Sequence, residues 1–375
     1  MISSTPIRVL VLLELTEAYA QAILRGVCRR GGQDPRLRLQ TTRVFPLAHL
    51  TSRLEQCDAI IASIVNSDVA ELLLTRQVPL VNVSNRGTGF HPVSVVADPQ
   101  GALERALQHF QERGIARIAT LGTVGAFDRI PVELLENVEY LGHVPDGDGI
   151  RMMESRAVSQ TGDWLKQCGF PLGIFCNSDA IALNVTEICE RHGIKVPDEV
   201  AIVGSGNDEV ACLSAHPTLT SVVMPFEEVG AGAVEMLFDL LEGRAPDPSL
   251  RAIPAGPVMV RQSSNVYAVD DPYVAKALRI MEEHLTTSLD IQTLADQLHI
   301  SRRMFEHRFQ RKMHMAPASY LRAKRLRRAV ELLENREMQI TEIAYAVGFA
   351  NAAHFCTLFR KQIGLTPKAY RAQHS

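Results

Sequence analysis

Residues Ile340–Arg371 read ITEIAYAVGFANAAHFCTLFRKQIGLTPKAYR. The pattern predicts a short helix (Ile340–Val347), a turn at Gly348, and a second helix (Asn351–Ile363) that buries Phe355, Leu358 and Phe359. The same order occurs earlier, in Ile291–Met313. Ile291, Leu294, Ala295 and Leu298 form one apolar face, His299 and Ile300 make a tight connection, and Ser301 suits an N-cap. The helix that follows, Ser301–Met313, turns Met304, Phe305 and Phe309 inward and leaves Arg302, Arg303, Glu306, His307 and Gln310 outward. A short helix, a brief turn and a polar, Arg-bearing second helix define a helix-turn-helix. Here there are two, spanning about 291–313 and 340–363, joined by a helix from about Pro317 to Asn335.

Charge sets this tail apart. Arg322–Arg328 (RAKRLRR) holds five positive charges and no negative one. The whole chain of 375 residues has a net charge of −3. Residues 271–375 hold 17 Lys+Arg against 10 Asp+Glu, which leaves 22 against 32 for residues 1–270. The near-neutral total therefore hides balances of +7 and −10, an asymmetry that points to nucleic acid as a partner of the tail. Between the two parts, residues 263–272 are polar and turn-prone, and read as a linker.

Ahead of the linker, residues 1–262 alternate short β-rich runs with helical segments: IRVLVLL at Ile7, DAIIA at Asp58, RIATLG at Arg117, LGIFC at Leu172 and VAIVG at Val200. Apolar runs separated by helices predict parallel sheets covered on both faces. The length suits two α/β lobes, with the chain crossing between them near 114, 224 and 255. No apolar stretch is long enough to cross a bilayer, and Arg8 and Glu14 interrupt the first apolar run, so no signal peptide is expected. The seven cysteines are scattered and lack a C-x-x-C, which predicts free, buried thiols in a cytoplasmic protein, with no zinc site. Phosphate-cradling glycine loops and the nucleophile elbow are absent from the strand ends, so no catalytic residue, metal or cofactor is expected.

The tail resembles the DNA-binding domain of AraC-type transcription regulators over residues 273–375. The resemblance rests on I-x-E-I-A-x-x-V-G-F (Ile340, Glu342, Ile343, Ala344, Val347, Gly348, Phe349) and on the closing F-x-x-x-F-R-K-x-x-G-x-T-P-x-x-Y-R (Phe355 to Arg371). It implies double-stranded DNA as partner, with each reading helix in a major groove. The implied base readers are Arg302, Arg303, Glu306 and His307 in the first helix. In the second they are Asn351, Ala352, Ala353, His354 and Thr357. Arg311, Lys312, Arg325, Arg360 and Lys361 are the implied phosphate contacts.

Residues 1–262 resemble the two-lobed, periplasmic-binding-protein-like effector domains of LacI/GalR regulators. The matching stretches are AYAQAILRGV (Ala18–Val27), SDAIAL (Ser178–Leu183), KVPDEVAIVG (Lys195–Gly204), PTLTSV (Pro217–Val222) and LLEG (Leu240–Gly243). In combination with the tail, the chain is similar to bacterial regulators of xylose operons. That implies an activator of a sugar-use operon, a homodimer that contacts RNA polymerase, and a sugar effector, with xylose a candidate. The effector residues implied are Glu14, Tyr19, Asn66, Asp128, Arg129, Asp179, Asn207 and Phe226, at the carboxyl ends of the strands. Two stretches depart from the relatives. The segment between Leu121 and Val138 is short, and Gly204-Ser205-Gly206 delays the carboxylate of a G-x-D turn to Asp208. An effector-independent regulator, and an α/β enzyme fused to a DNA-binding tail, are the alternatives.

Overall fold

The computed structural model describes residues 6–43, 50–85, 93–122, 139–143, 155–244, 249–266, 269, 271–287, 289–313, 315–333 and 338–373. The chain forms two compact units: residues 1–111 with 116–264, and residues 265–375 with Glu112–Ile115.

In chain order the first runs β1 (Ile7–Leu12), α1 (Ala18–Gly31), β2 (Leu37–Thr42), α2 (Thr51–Glu55), β3 (Ala59–Ala62), α3 (Ser67–Leu74), β4 (Leu80–Asn82), β5 (Ser94–Ala97) and α4 (Pro99–Glu112). It continues with β6 (Arg117–Leu121), β7 (Glu139–His143), α5 (Ser155–Cys168), β8 (Leu172–Cys176), α6 (Asp179–Arg191), β9 (Val200–Gly206), α7 (Glu209–Ser214) and β10 (Thr220–Val223). It closes with α8 (Phe226–Leu241), β11 (Leu250–Ile253) and β12 (Val258–Met259). One sheet has the order β2-β1-β3-β4-β5-β11, with every pair parallel. The other has the order β7-β6-β8-β9-β10-β12, parallel except for β12, which runs antiparallel to β10. The chain thus passes between sheets after α4, after β10 and after β11.

The apolar runs behave as a doubly covered sheet requires. In β1, Val9 and Val11 join Ile23, Val27 and Val234 on one face, while Leu10 and Leu12 join Leu54, Val69 and Leu73 on the other. Strands β2 (LRLQTT), β7 (EYLGH) and β11 (LRAI) all lie at sheet edges, where one neighbour is missing and polar residues are tolerated.

Helices α1 and α8 approach each other until their backbones touch. A Cβ on Gly26 would lie 1.9 Å from the Glu227 carbonyl oxygen, and one on Gly230 would lie 2.0 Å from that of Ile23. Arg25 and Arg29 both reach Glu227, at 2.8 and 2.9 Å. Ser263 and Ser264, placed in the linker by their polarity, are fully buried at the end of this unit. Of the seven thiols, Cys57, Cys176, Cys189 and Cys212 are buried as expected, but Cys28 is exposed. Burial pushes Cys189 and Cys212 up to about 12, which keeps both as unreactive thiols.

The second unit is helical: α9 (Pro272–Glu283), α10 (Ile291–Gln297), α11 (Arg302–Met313), α12 (Pro317–Leu333), α13 (Ile340–Ala346), α14 (Ala352–Ile363) and α15 (Pro367–Gln373). It has two cores. One gathers α9, α10 and α11 around Leu278, Leu294, Phe305 and Phe309; the other gathers α12, α13 and α14 around Leu326, Ile343, Phe355 and Phe359.

The α1–α8 contact gives a direct test. Gly26→Ala must push the two helices apart, and overpacking of this kind costs about 1–3 kcal/mol. Thermal melting of the full chain should show a drop of several degrees in the transition of the α/β unit. An unchanged melting curve would show that the two backbones do not meet.

Candidate functional site

Each half of the helical unit is a helix-turn-helix, built on the same plan. Asp290 caps α10 through the amides of Gln292 and Thr293. A capping box of Gln339 and Glu342 starts α13. The turn after α10 places His299 at a φ of 55°, and the turn after α13 places Gly348 at 77°. Both second helices are clamped by two phenylalanines one turn apart. Phe305 and Phe309 are fully buried with ring centroids 5.6 Å apart, and so are Phe355 and Phe359, also at 5.6 Å. Two helices anchored in the same register present equivalent outer faces.

On α11, Arg302, Arg303 and His307 are exposed and Glu306 is half-buried. Arg302 Nε donates to Glu306 Oε1 at 2.8 Å. Met304, expected in the core, is 40% exposed. Its place relative to Phe305 matches that of His354 relative to Phe355, so it joins the outer face. Comparison of the two helices in register was the signal that would have found it. On α14, Ala353, His354 and Thr357 are exposed and Ala352 is half-buried. Thr357 donates its hydroxyl to the Ala353 carbonyl.

Asn351 lies outside the helix, contrary to its expected role. Its side-chain oxygen accepts from the amides of Ala353 and His354, at 2.8 and 3.2 Å, so the acceptor needed to read a base is spent on the N-cap.

Arg325 is a second departure. It is not a surface cation waiting for phosphate: Nε donates to the Leu285 carbonyl at 3.0 Å and Nη2 to that of Thr287 at 2.5 Å. Burial lowers its pKa from the ordinary guanidinium value. A Cβ on Gly348 would lie 2.5 Å from the Leu285 oxygen and 3.0 Å from Arg325 Nε. The end of α9, the middle of α12 and the turn of the second helix-turn-helix therefore converge on one carbonyl.

The basic run on α12 is also partly committed. Lys324 pairs with Glu112 at 3.0 Å and Glu282 at 3.4 Å, and Arg327 pairs with Glu112. Arg308 was not singled out from the sequence. It bonds the buried Asp271 at 2.8 Å and lies over the Tyr273 ring, tying α11 to the start of α9. Arg303, Arg311, Arg360 and Lys361 remain exposed, with no hydrogen bond or ion pair among the described residues.

In the α/β unit, Glu14, Tyr19, Asn66, Asp179, Asn207 and Phe226 all follow the carboxyl ends of strands. The Tyr19 and Phe226 rings pack at a tilt with centroids 5.8 Å apart, and a Cβ on Gly206 would lie 3.9 Å from Phe226 and 3.1 Å from an Asp179 oxygen. The structure thus gathers Tyr19, Phe226, the β9 turn and Asp179. Glu14 accepts from the nearby Thr16 hydroxyl, and Asn66 caps α3 through Val69 N. Asp128 and Arg129 lie outside the described residues.

Asp179 is buried and committed to the protein. Its carboxylate accepts from Ser221 Oγ at 2.5 Å and from the Asp208 amide at 2.8 Å, and a Cβ at Gly204 would lie 2.3 Å from it. Burial raises its pKa, against the opposing pull of these hydrogen bonds. Ser178, one residue earlier, is the N-cap of α6. Asn207, at a φ of 54°, donates its amide to Ser221 Oγ and accepts from Arg261 Nη2 at 2.8 Å. Arg261, a lone cation after the last strand, gave no sequence signal.

Comparisons with known proteins match this order of domains. Residues 107–264 match the model of a periplasmic binding protein-like domain, and residues 294–373 match that of a helix-turn-helix domain. The chain joins a periplasmic-binding-protein-like domain to an AraC-type helix-turn-helix domain, and is a DNA-binding transcription regulator. It is 27% identical to the xylose operon regulatory protein of Haemophilus influenzae over 84% of both chains. It is 25% identical to that of Escherichia coli over 98% of this chain and 97% of the relative. Among solved structures, the xylose-binding transcription activator xylR aligns with a TM-score of 0.61 and 24% identity, over 99% of both chains.

Arg325→Ala separates the two roles considered for that residue. It strands the Leu285 and Thr287 carbonyls, a loss of about 1–3 kcal/mol, and should lower the melting temperature of the helical unit. The slope of log Kobs against log salt should stay as in the parent. A flattened slope with unchanged melting would return Arg325 to the phosphate contacts.

Proposed function

We propose that this regulator lays α11 and α14 into successive major grooves of double-stranded DNA and controls a sugar-utilisation operon as an activator. The observation that carries the reading is the paired anchoring of the two helices by Phe305/Phe309 and Phe355/Phe359, which leaves two outer faces in equivalent positions for two groove segments. The base readers are Arg302, Arg303, Met304 and His307 on the first face, and Ala352, Ala353, His354 and Thr357 on the second. Arg311, Lys312, Arg360 and Lys361 lie in the last turns of these helices and take phosphates, which fixes register without reading sequence.

The effector is a sugar, with xylose first among those to test. The support is the name shared by relatives that align over nearly the whole chain, and the Tyr19–Phe226 pair, which gives a pyranose an aromatic face beside the polar β9 turn. The spare donors are the amide groups of Asn66 and Asn207. Asp179 supports the turn through Asp208 N and Ser221 Oγ and does not contact the effector. Sugar binding would favour one arrangement of the lobes and so bias a cytoplasmic homodimer toward recruiting RNA polymerase. No enzymatic step is assigned.

Two measurements test this. Arg303→Ala should weaken binding to the selected operator by about 1–3 kcal/mol and relax one base position. Arg360→Ala should weaken all sequences alike and reduce the salt slope by about 0.9. Equal, sequence-independent losses from both would refute the assignment of α11 as a reading helix. For the effector, saturating xylose at about 100 times its Kd should stabilise the α/β unit by about 2.7 kcal/mol, visible as a dose-dependent thermal shift. A panel of pentoses and hexoses that shifts nothing would favour an effector-independent regulator.

A further inference from the structure

We propose that Glu306 does not read a base itself but holds Arg302 in the orientation that reads a guanine. The proposal rests on the placement of α11 in a major groove argued above, and concerns the first face only.

Arg302 Nε donates to Glu306 Oε1 at 2.8 Å across one helical turn. Both side chains stay in contact with solvent, with exposures of 55% and 43%. This bond uses the one donor of the guanidinium that lies on its stem. The two terminal amino groups make no other hydrogen bond among the described residues and point away from the stem. An arginine held by Nε presents those two groups end-on, the geometry that fits O6 and N7 of guanine. A free arginine must give up its rotamer freedom when it binds; one already held has lost part of it. With Oε1 held by Arg302 Nε, the carboxylate of Glu306 is assigned to orienting that guanidinium.

The pair is not explained by helix stability. Arg302 and Arg303 open α11, and no acidic residue lies in its first turn. Cations there face the positive end of the helix dipole. The order Arg then Glu at i and i+4 is also the weaker order for a helix ion pair, and exposed pairs contribute little. Two arginines kept at an unfavourable helix end, one of them oriented by a carboxylate, suit an electronegative base edge. The equivalent positions of α14 differ: Ala352 and Cys356 stand where Arg302 and Glu306 stand relative to the first phenylalanine. The device therefore belongs to one half-site alone, and makes the two halves read different sequences.

The test is in vitro selection from random duplexes with the full-length protein, followed by binding to single-base variants of the selected site. The parent should prefer guanine at one position under α11 by about tenfold. Arg302→Ala should abolish that preference. Glu306→Gln should reduce it several-fold at the same position, leave positions under α14 unchanged, and have no further effect in the Arg302→Ala background. The circular dichroism spectrum and melting of each variant check the fold. Three outcomes would overturn the proposal: a Glu306→Gln effect at a different position from Arg302→Ala, a gain in affinity that is uniform over all sequences, or additive effects in the double variant. If the parent selects no sequence at all, the groove placement itself falls and this proposal with it.

Discussion

The geometry of the DNA-binding half depends on one carbonyl group. The Leu285 oxygen ends the turn after α9, receives Arg325 Nε at 3.0 Å, and lies so close to Gly348 that a Cβ there would sit at 2.5 Å. Three parts of the unit meet at that point: the first core through α9, the bridging helix α12, and the second turn. Two reading helices can serve successive grooves only if their separation is fixed. Hydrophobic contact is not directional and would allow the cores to slide. A half-buried guanidinium forking to two carbonyls is directional, and it sets where the second helix-turn-helix stands relative to the first. Glycine at 348 meets two demands at once, a left-handed φ of 77° and the absence of a side chain.

The α/β unit uses hydrogen bonds in a comparable way. Ser264 donates to Thr220 at 2.8 Å and lies 2.7 Å from His109 Nε2. Thr220 exchanges hydrogen bonds with the Arg261 backbone, and its neighbour Ser221 bonds Asp179. A continuous polar chain thus runs from the β9 turn, through β10, to the last residues of the unit. All its members are buried or half-buried, so each group needs its partner. That is why Asp179 reads more simply as a support than as a sugar ligand: each of its oxygens already accepts from the protein, from Ser221 and from Asp208, and the side chain is buried.

The sequence revealed the architecture because both halves carry strong periodic signals. Apolar runs such as Leu172–Cys176, bounded by turn residues, suit central strands, and the repeated Phe pairs of Phe305/Phe309 and Phe355/Phe359 mark two equivalent helices. Edge strands β2 and β11 escaped notice because an edge does not require a continuous apolar run. The errors at single residues share one physical cause. Asn351, Arg325 and Asp179 carry polar groups that suit a ligand, yet each is spent on a backbone or buried partner brought near by the fold. Sequence gives a side chain's chemistry; whether that chemistry is still available depends on neighbours distant in the chain. Arg325 and Leu285 are forty residues apart in contact, and Asp179 and Ser221 are forty-two apart.

Side chains committed in this way also change what the basic tail can contribute. A balance of +7 over residues 271–375 counts every cation equally. Arg308 is bound to Asp271, Lys324 and Arg327 to Glu112, Arg325 to two carbonyls, Arg371 to the Leu333 carbonyl, and Arg302 to Glu306. These charges build the domain or shape its reading face. Counterion release is driven by the cations that neutralise phosphates, so the salt dependence of binding should follow the few uncommitted side chains at the ends of α11 and α14. The RAKRLRR run, the most basic stretch in the sequence, is mainly scaffold in this respect. In the proposed reading it is the less conspicuous Arg311, Arg360 and Lys361 that meet phosphates, because they close the last turns of α11 and α14.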